Sequence, residues 1–191
     1  MYKKYYSLAK SVLSLDRTVI NAVSADDKLS RPAICIYLLP HVVNLLLGAL
    51  IFPSGFGAIF NRFLTWSIFI PPLAMFGSIF LVFLLLTQYF KVKMRFEGIF
   101  RVVAFASIVI FSTMVPYILA VFGLLDPFFL FGFFWLISGL WMLFVLNTYL
   151  KSLHGLDQNK VLIAIACAIL TFWLLNRIFG NLFIGVSYNF L

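Results

Sequence analysis

Long apolar runs separated by short polar segments fill most of this chain. A helix needs roughly 20 mostly apolar residues to cross a bilayer, and five runs meet that length. The predicted spans are Ala33–Phe52, Phe63–Leu86, Val102–Leu124, Phe128–Leu150 and Val161–Phe179. None of the runs shows the alternation of apolar and polar residues that is typical of barrel strands. We therefore predict an all-α polytopic membrane protein, with a five-helix transmembrane domain over residues 32–191.

Residues 1–31 follow a different pattern, because their apolar residues recur at three- and four-residue spacing between lysines and arginines. The apolar positions are Tyr5, Leu8, Val12, Leu15, Val19 and Val23. This spacing predicts a cytoplasmic amphipathic helix that lies on the inner leaflet, with a disordered tail as the alternative. Ser30 and Pro32 then mark the start of the first span, as a cap and a first-turn proline.

The composition supports a membrane protein, and the distribution of charge predicts its orientation. The chain is 64% hydrophobic and 10% charged, whereas soluble domains are about 45–50% apolar and about 25% charged. Arg62 and Arg177 lie on one predicted side, and the other twelve basic residues lie on the opposite side. Because basic residues are retained in the cytoplasm, we expect a cytoplasmic N-terminus and a C-terminus outside. The net charge of +8 then faces anionic headgroups rather than nucleic acid.

The first predicted span contains a candidate polar site. His41 and Asn44 follow Pro40 within an otherwise apolar run. An ionisable residue inside a membrane is a functional-site hypothesis, because burying its charge is costly. The alternative is a neutral, hydrogen-bonded histidine beside a proline kink.

The sequence lacks the common motifs for catalysis and for metal binding. All six acidic residues fall in predicted tails or loops, so no carboxylate pair shares a site within the membrane. His154 precedes Asp157 by three residues, a spacing that could orient an imidazole or simply belong to a solvated loop. Cys35 and Cys167 have no second thiol or histidine at metal-ligand spacing. We therefore predict no enzyme activity, no cofactor and no metal.

An offset of 60 residues gives six identities between residues 78–110 and 138–170, including Ser78 with Ser138 and Tyr89 with Tyr149. Ala104 and Ala106 match Ala164 and Ala166. The pattern suggests that spans two and three repeat as spans four and five, with these alanines at close helix contacts.

Several local sequences resemble those of the Yip1 family of five-span membrane proteins. They are the polar N-terminal region, the loop Phe96-Glu97-Gly98-Ile99-Phe100-Arg101 before a span with Pro116, and Leu153-His154-Gly155-Leu156 followed by Lys160. The Asp-Leu-Tyr-Gly-Pro signature of the eukaryotic trafficking members does not occur in residues 1–31, so no Rab GTPase partner is implied. The family is expected in the plasma membrane of a prokaryote or an endomembrane of a eukaryote.

This resemblance implies a non-enzymatic membrane scaffold whose cytosolic face recruits protein partners or shapes the bilayer. Such a scaffold could form a homo-oligomer. The candidate residues for binding a partner or lipid are Lys91, Lys93, Arg95, Glu97 and Arg101. These charges could instead serve only to fix the topology. The competing function is a small permease or channel subunit. Its path would lie between helices kinked at Pro40, Pro71 with Pro72, and Pro116.

Overall fold

A computed structural model describes residues 2–51, 70–121, 127–152 and 156–184, and these ranges are mostly helical and contain no strand. The helices, in chain order, are α1 (Tyr2–Leu13), α2 (Arg17–Ala25), α3 (Ser30–Ile51), α4 (Ile70–Leu84), α5 (Phe96–Ala106), α6 (Met114–Val121), α7 (Pro127–Ser152) and α8 (Gln158–Ile184). Three other helical segments are a 3₁₀ turn at Asp27–Leu29, a π-helical turn at Leu85–Tyr89 and a 3₁₀ segment at Ser107–Thr113.

Four described stretches are long and apolar enough to cross a membrane. They are Ile70–Tyr89, Phe96–Pro116, Gly132–Ser152 and Gln158–Phe179. They match the second to fifth predicted spans, and their number and composition are those of a multi-pass membrane protein. Of the predicted spans, Phe52 and residues 63–69 and 122–124 lie outside the described residues, as do Arg62 and His154.

The surface of α8 shows why these helices suit a bilayer. One broad face of this helix is apolar and exposed, with the side chains of Leu162, Ile163, Ile169, Leu170, Trp173 and Leu174. Soluble monomers rarely expose so large a contiguous apolar surface. The opposite face packs along α4, where Gly77 leaves room for Leu175, since an added Cβ would lie 2.5 Å from its Cδ1.

The third span begins earlier than predicted. In the predicted loop from Lys91 to Arg101, only residues 91–95 are non-helical, and α5 starts at Phe96. Arg95 is the N-cap, and Glu97 lies in the first turn, where a carboxylate complements the positive end of the helix dipole. Arg101 therefore lies inside a helix, and the prediction that it closes a loop is wrong.

The N-terminal region forms two helices instead of the single predicted one. Leu15 has a φ of 60°, which ends α1, and the carboxylate of Asp16 caps α2 by accepting from the amides of Thr18 and Val19. The apolar face is turned into the protein, against α5 and α7. Its fully buried residues are Ala9, Val12, Ile20 and Val23. Contact of these helices with a lipid surface stays a prediction.

The two predicted repeats differ in structure. The third span is interrupted by the 3₁₀ segment, whereas α8 is a continuous α-helix. Tyr89 is 76% exposed and its counterpart Tyr149 is 2% exposed. Ala166 is exposed, so the prediction that it supports a close helix contact is wrong.

Candidate functional site

The basic regions that the sequence placed on one side of the membrane lie together in the structure. Arg95 and Asp27 are 3.4 Å apart, and the Lys160 ammonium lies 5.9 Å from the centre of the Phe90 ring. Ser152, at the end of α7, donates to the side-chain oxygen of Asn21 on α2 at 2.6 Å. We call this end of the bundle, with the segment 91–95 and the N-terminal helices, the basic end.

Four of the five candidate partner residues are accessible. Lys91, Lys93, Arg95 and Glu97 are exposed, while Val92, Met94 and Phe96 between them are partly buried. The segment thus presents three cationic groups outward and anchors itself by apolar side chains.

Arg101 is the exception, and its assignment to a partner-binding surface is corrected by its burial. The residue is 1% exposed. Its guanidinium donates to Asp27 Oδ1 at 2.9 Å, to Ser30 Oγ at 2.8 Å and to the Ser24 carbonyl. We call these four residues the Arg101 cluster. The cluster joins α5 to the end of α2, the 3₁₀ turn and the start of α3, so Arg101 links parts of the protein instead of meeting an external partner.

Two further contacts fix the N-terminal helices at the basic end. A Cβ added to Gly98 would lie 3.1 Å from the Ser24 carbonyl oxygen and 3.2 Å from the Tyr149 hydroxyl, so a larger residue would need these neighbours to shift. Trp141 on α7 donates from its indole nitrogen to the Leu13 carbonyl at 3.0 Å. The docking of these helices therefore depends on both α5 and α7.

The second candidate site lies between α3 and the 3₁₀ segment. His41 and Asn44, each 3% exposed, are three residues apart on α3, so they share a face of that helix. Asn44 Nδ2 donates to Thr113 Oγ1 at 2.7 Å. Three buried atoms have no hydrogen-bond partner among the residues that the structure describes. They are both ring nitrogens of His41 and the Oδ1 of Asn44. We call His41, Asn44 and Thr113 the polar site.

The surroundings of His41 are aromatic. The Tyr37 ring lies 6.0 Å from the imidazole centre, and the Trp135 ring lies 6.2 Å from it. The interpretation of His41 as a hydrogen-bonded structural histidine therefore has no support in the described part of the chain. That His41 and Asn44 form an intramembrane functional site stays a prediction.

A break in the third span faces this site. Pro116 has no amide hydrogen for the Ser112 carbonyl and its ring crowds that group, and the chain is 3₁₀-helical up to Thr113. Hydroxyl groups at the break form hydrogen bonds within the third span and to α7. Thr113 donates to the Ile110 carbonyl at 2.6 Å, and the Ser112 and Ser138 hydroxyls are 2.9 Å apart. A mid-helix 3₁₀ stretch often marks a functional hinge.

Sequence reasoning missed the partners of Arg101, which are Ser24, Asp27 and Ser30. One signal was available in the sequence. If the helix starts at Phe96, Arg101 lies within its apolar run and needs polar partners from elsewhere in the chain. Comparisons of the chain with family models, curated proteins and solved structures gave no match. The two sites are therefore interpreted from their own geometry.

Proposed function

We propose that this protein is a non-enzymatic membrane scaffold, similar to Yip1 proteins, that recruits partners at its basic end. The proposed topology has five spans, with α3 as the first. This helix is 22 residues long and has no charged residue after Arg31, which is enough to cross a hydrocarbon core of about 30 Å. An odd number of spans places the two termini on opposite sides.

The grouping of the basic residues supports a cytoplasmic N-terminus. Eleven of the twelve basic residues of the predicted inner side are exposed, and the contacts above bring their segments to one end of the bundle. Lysine and arginine near membrane helices are retained in the cytoplasm. The basic end is therefore proposed to face the cytoplasm and the anionic headgroups of the inner leaflet.

The observation that carries the scaffold proposal is the non-helical segment Lys91–Arg95, whose three basic residues are exposed. Its one described ion pair joins Arg95 to Asp27, and the two side chains are 74% and 68% exposed. Such a surface pair is worth only about 0–1 kcal/mol, so the cationic groups remain available. Each basic residue near an anionic surface contributes about 1 kcal/mol to binding, and an acidic protein surface offers similar attraction.

The test is charge reversal with the orientation checked. The variant Lys91→Glu with Lys93→Glu and Arg95→Glu is purified from native membranes in mild detergent, and its co-purifying proteins and lipids are quantified. The control Lys91→Arg with Lys93→Arg and Arg95→Lys keeps every charge. We expect the reversal variant alone to lose a stoichiometric partner while its N-terminus stays cytoplasmic. An unchanged set of partners and lipids would leave these residues only a role in topology.

The second candidate function is a small permease or channel subunit, and the polar site beside the 3₁₀ break favours it. Interrupted helices in transporters build substrate sites near mid-membrane. The test is solute flux into vesicles that contain the purified protein. A flux that exceeds that of protein-free vesicles and falls in His41→Leu would support this function, and equal fluxes would remove it.

A further inference from the structure

We propose that the polar site binds a small neutral molecule that both donates and accepts hydrogen bonds, of which water is the smallest. This inference rests on side-chain geometry alone. It is independent of the scaffold function, and it goes beyond the permease function because a bound molecule need not be transported. Two side chains that are 97% buried and offer unpartnered polar atoms carry it.

The hydrogen bonds of Thr113 fix the orientation of the Asn44 amide. Thr113 donates its single hydroxyl hydrogen to the Ile110 carbonyl, so its oxygen accepts from Asn44, and the amide nitrogen must face Thr113. The Asn44 carbonyl oxygen therefore faces away from Thr113. It is an acceptor with no donor in the described part of the chain.

The surroundings of His41 make the imidazole neutral. The elements that pack most against α3 are α5, the 3₁₀ segment, α6 and the turn at Asp27–Leu29. Trp135 of α7 and Pro72 of α4 also contact this helix. Their charged residues are Asp27, Lys28, Glu97 and Arg101, together with Lys151 at the exposed end of α7. Lys28 and Glu97 are exposed, and Arg101 is bound to Asp27. Among the residues that the structure describes, no counter-charge lies beside His41, so its ring presents one donor and one acceptor.

These groups define the chemistry of the ligand. One imidazole nitrogen and Asn44 Oδ1 are acceptors that need a donor, and the other imidazole nitrogen is a donor that needs an acceptor. An ion would require a buried counter-charge that this environment does not supply. A molecule that reaches side chains 3% exposed is small, and buried polar groups of this kind commonly hold water.

The experiment is solid-state NMR on the protein in lipid bilayers with ¹⁵N-labelled histidine. The chain has two histidines, so His154→Gln leaves His41 as the one labelled residue. The probe is water, detected by transfer of its proton magnetisation to the His41 ring nitrogens. We expect ring signals of a neutral, hydrogen-bonded imidazole with transfer from water. Asn44→Leu should lose most of that transfer.

The matched control is Asn176→Leu on α8. The Asn176 amide donates to the Phe172 carbonyl one turn before it, away from the polar site, and this variant should keep the transfer. A dry, non-hydrogen-bonded imidazole in the single-histidine protein would overturn the proposal, and that result needs no further variant to fold. Full transfer in Asn44→Leu would overturn the assignment of Asn44 to the site.

Discussion

Arg101 and His41 are buried to nearly the same extent, at 1% and 3% exposure, yet they differ in the number of hydrogen-bond partners around them. The two terminal nitrogens of Arg101 donate to a carboxylate, a hydroxyl and a carbonyl, and only its Nε lacks a partner in the described ranges. His41 meets aromatic rings and no described hydrogen-bond partner.

The difference teaches that burial alone does not separate structural from functional polar residues. A buried charge with its partners in place links the segments that supply them, and its removal leaves those partners unsatisfied. A buried polar group without partners stabilises nothing by itself, so its presence calls for another explanation, such as a bound molecule. The following predictions test this contrast between the Arg101 cluster and the polar site.

The largest expected effect follows from Arg101→Leu. This change removes the charge-assisted hydrogen bonds of the cluster, and we expect the free energy of unfolding to fall by about 3 kcal/mol. The matched control is Arg95→Leu, which removes the exposed partner of the same Asp27 and should cost about 0.5 kcal/mol. Denaturation in detergent measures both. Equal losses would show that the cluster is not a structural link.

A second prediction concerns the close approach at Gly98. Gly98→Ala places a methyl group against the Ser24 carbonyl and the Tyr149 hydroxyl, and we expect a loss of about 1–2 kcal/mol from overpacking. Gly139→Ala is the control, because nothing lies within 4 Å of its added Cβ. There the better helix propensity should raise stability by up to about 1 kcal/mol. Losses of the same size at both glycines would contradict this account of the basic end.

His41→Leu should behave in the opposite way to Arg101→Leu. It replaces a polar ring with no described protein partner by an apolar side chain, and such replacements are nearly neutral or stabilising. We expect a change in the free energy of unfolding between zero and about 1 kcal/mol of added stability, from the same denaturation experiment. A loss of 2 kcal/mol or more, on the scale of about 1–3 kcal/mol for orphaned partners, would identify His41 as structural.

The smallest effect concerns pH and the cap of α2. The hydroxyl of Thr18, followed by the backbone amide of Val19, lowers the pKa of Asp16 below its ordinary value of 3.8. The ionised cap therefore stabilises the protein above that value, and this contribution disappears as the pH falls through the lowered pKa. We expect the melting temperatures of the wild type and Asp16→Asn to converge as the pH falls below 3.8. A constant difference down to pH 2 would contradict this.

The sequence predicted the membrane helices well because span length depends on local composition. Four predicted spans correspond to described helices, although the third begins six residues early, at Phe96. The early start was missed because a fully buried arginine is rare, so Arg101 was assigned to the loop. Its partner Asp27 is 74 residues away, and no local rule connects the two.

The polar site was found from sequence only in part. His41 and Asn44 stand out in an apolar run, so a simple rule for intramembrane polar residues selected them. That Asn44 bonds Thr113, 69 residues away, depends on tertiary packing. Whether His41 has a hydrogen-bond partner also depends on tertiary packing. The 3₁₀ segment was expected only as a kink at Pro116, since its extent reflects packing against α3 and α7.

The docking of the N-terminal helices has a consequence for synthesis. Asn21 bonds Ser152, which is 131 residues later in the chain, and translation proceeds at about 5–20 residues per second. The helices α1 and α2 therefore exist for roughly 7–26 s before their last partner is made, and α7 cannot cover their apolar face until then. An amphipathic helix in that condition binds the nearest membrane surface. In the proposed topology that surface is the inner leaflet, and we expect it to hold the N-terminal segment until α5 and α7 are made.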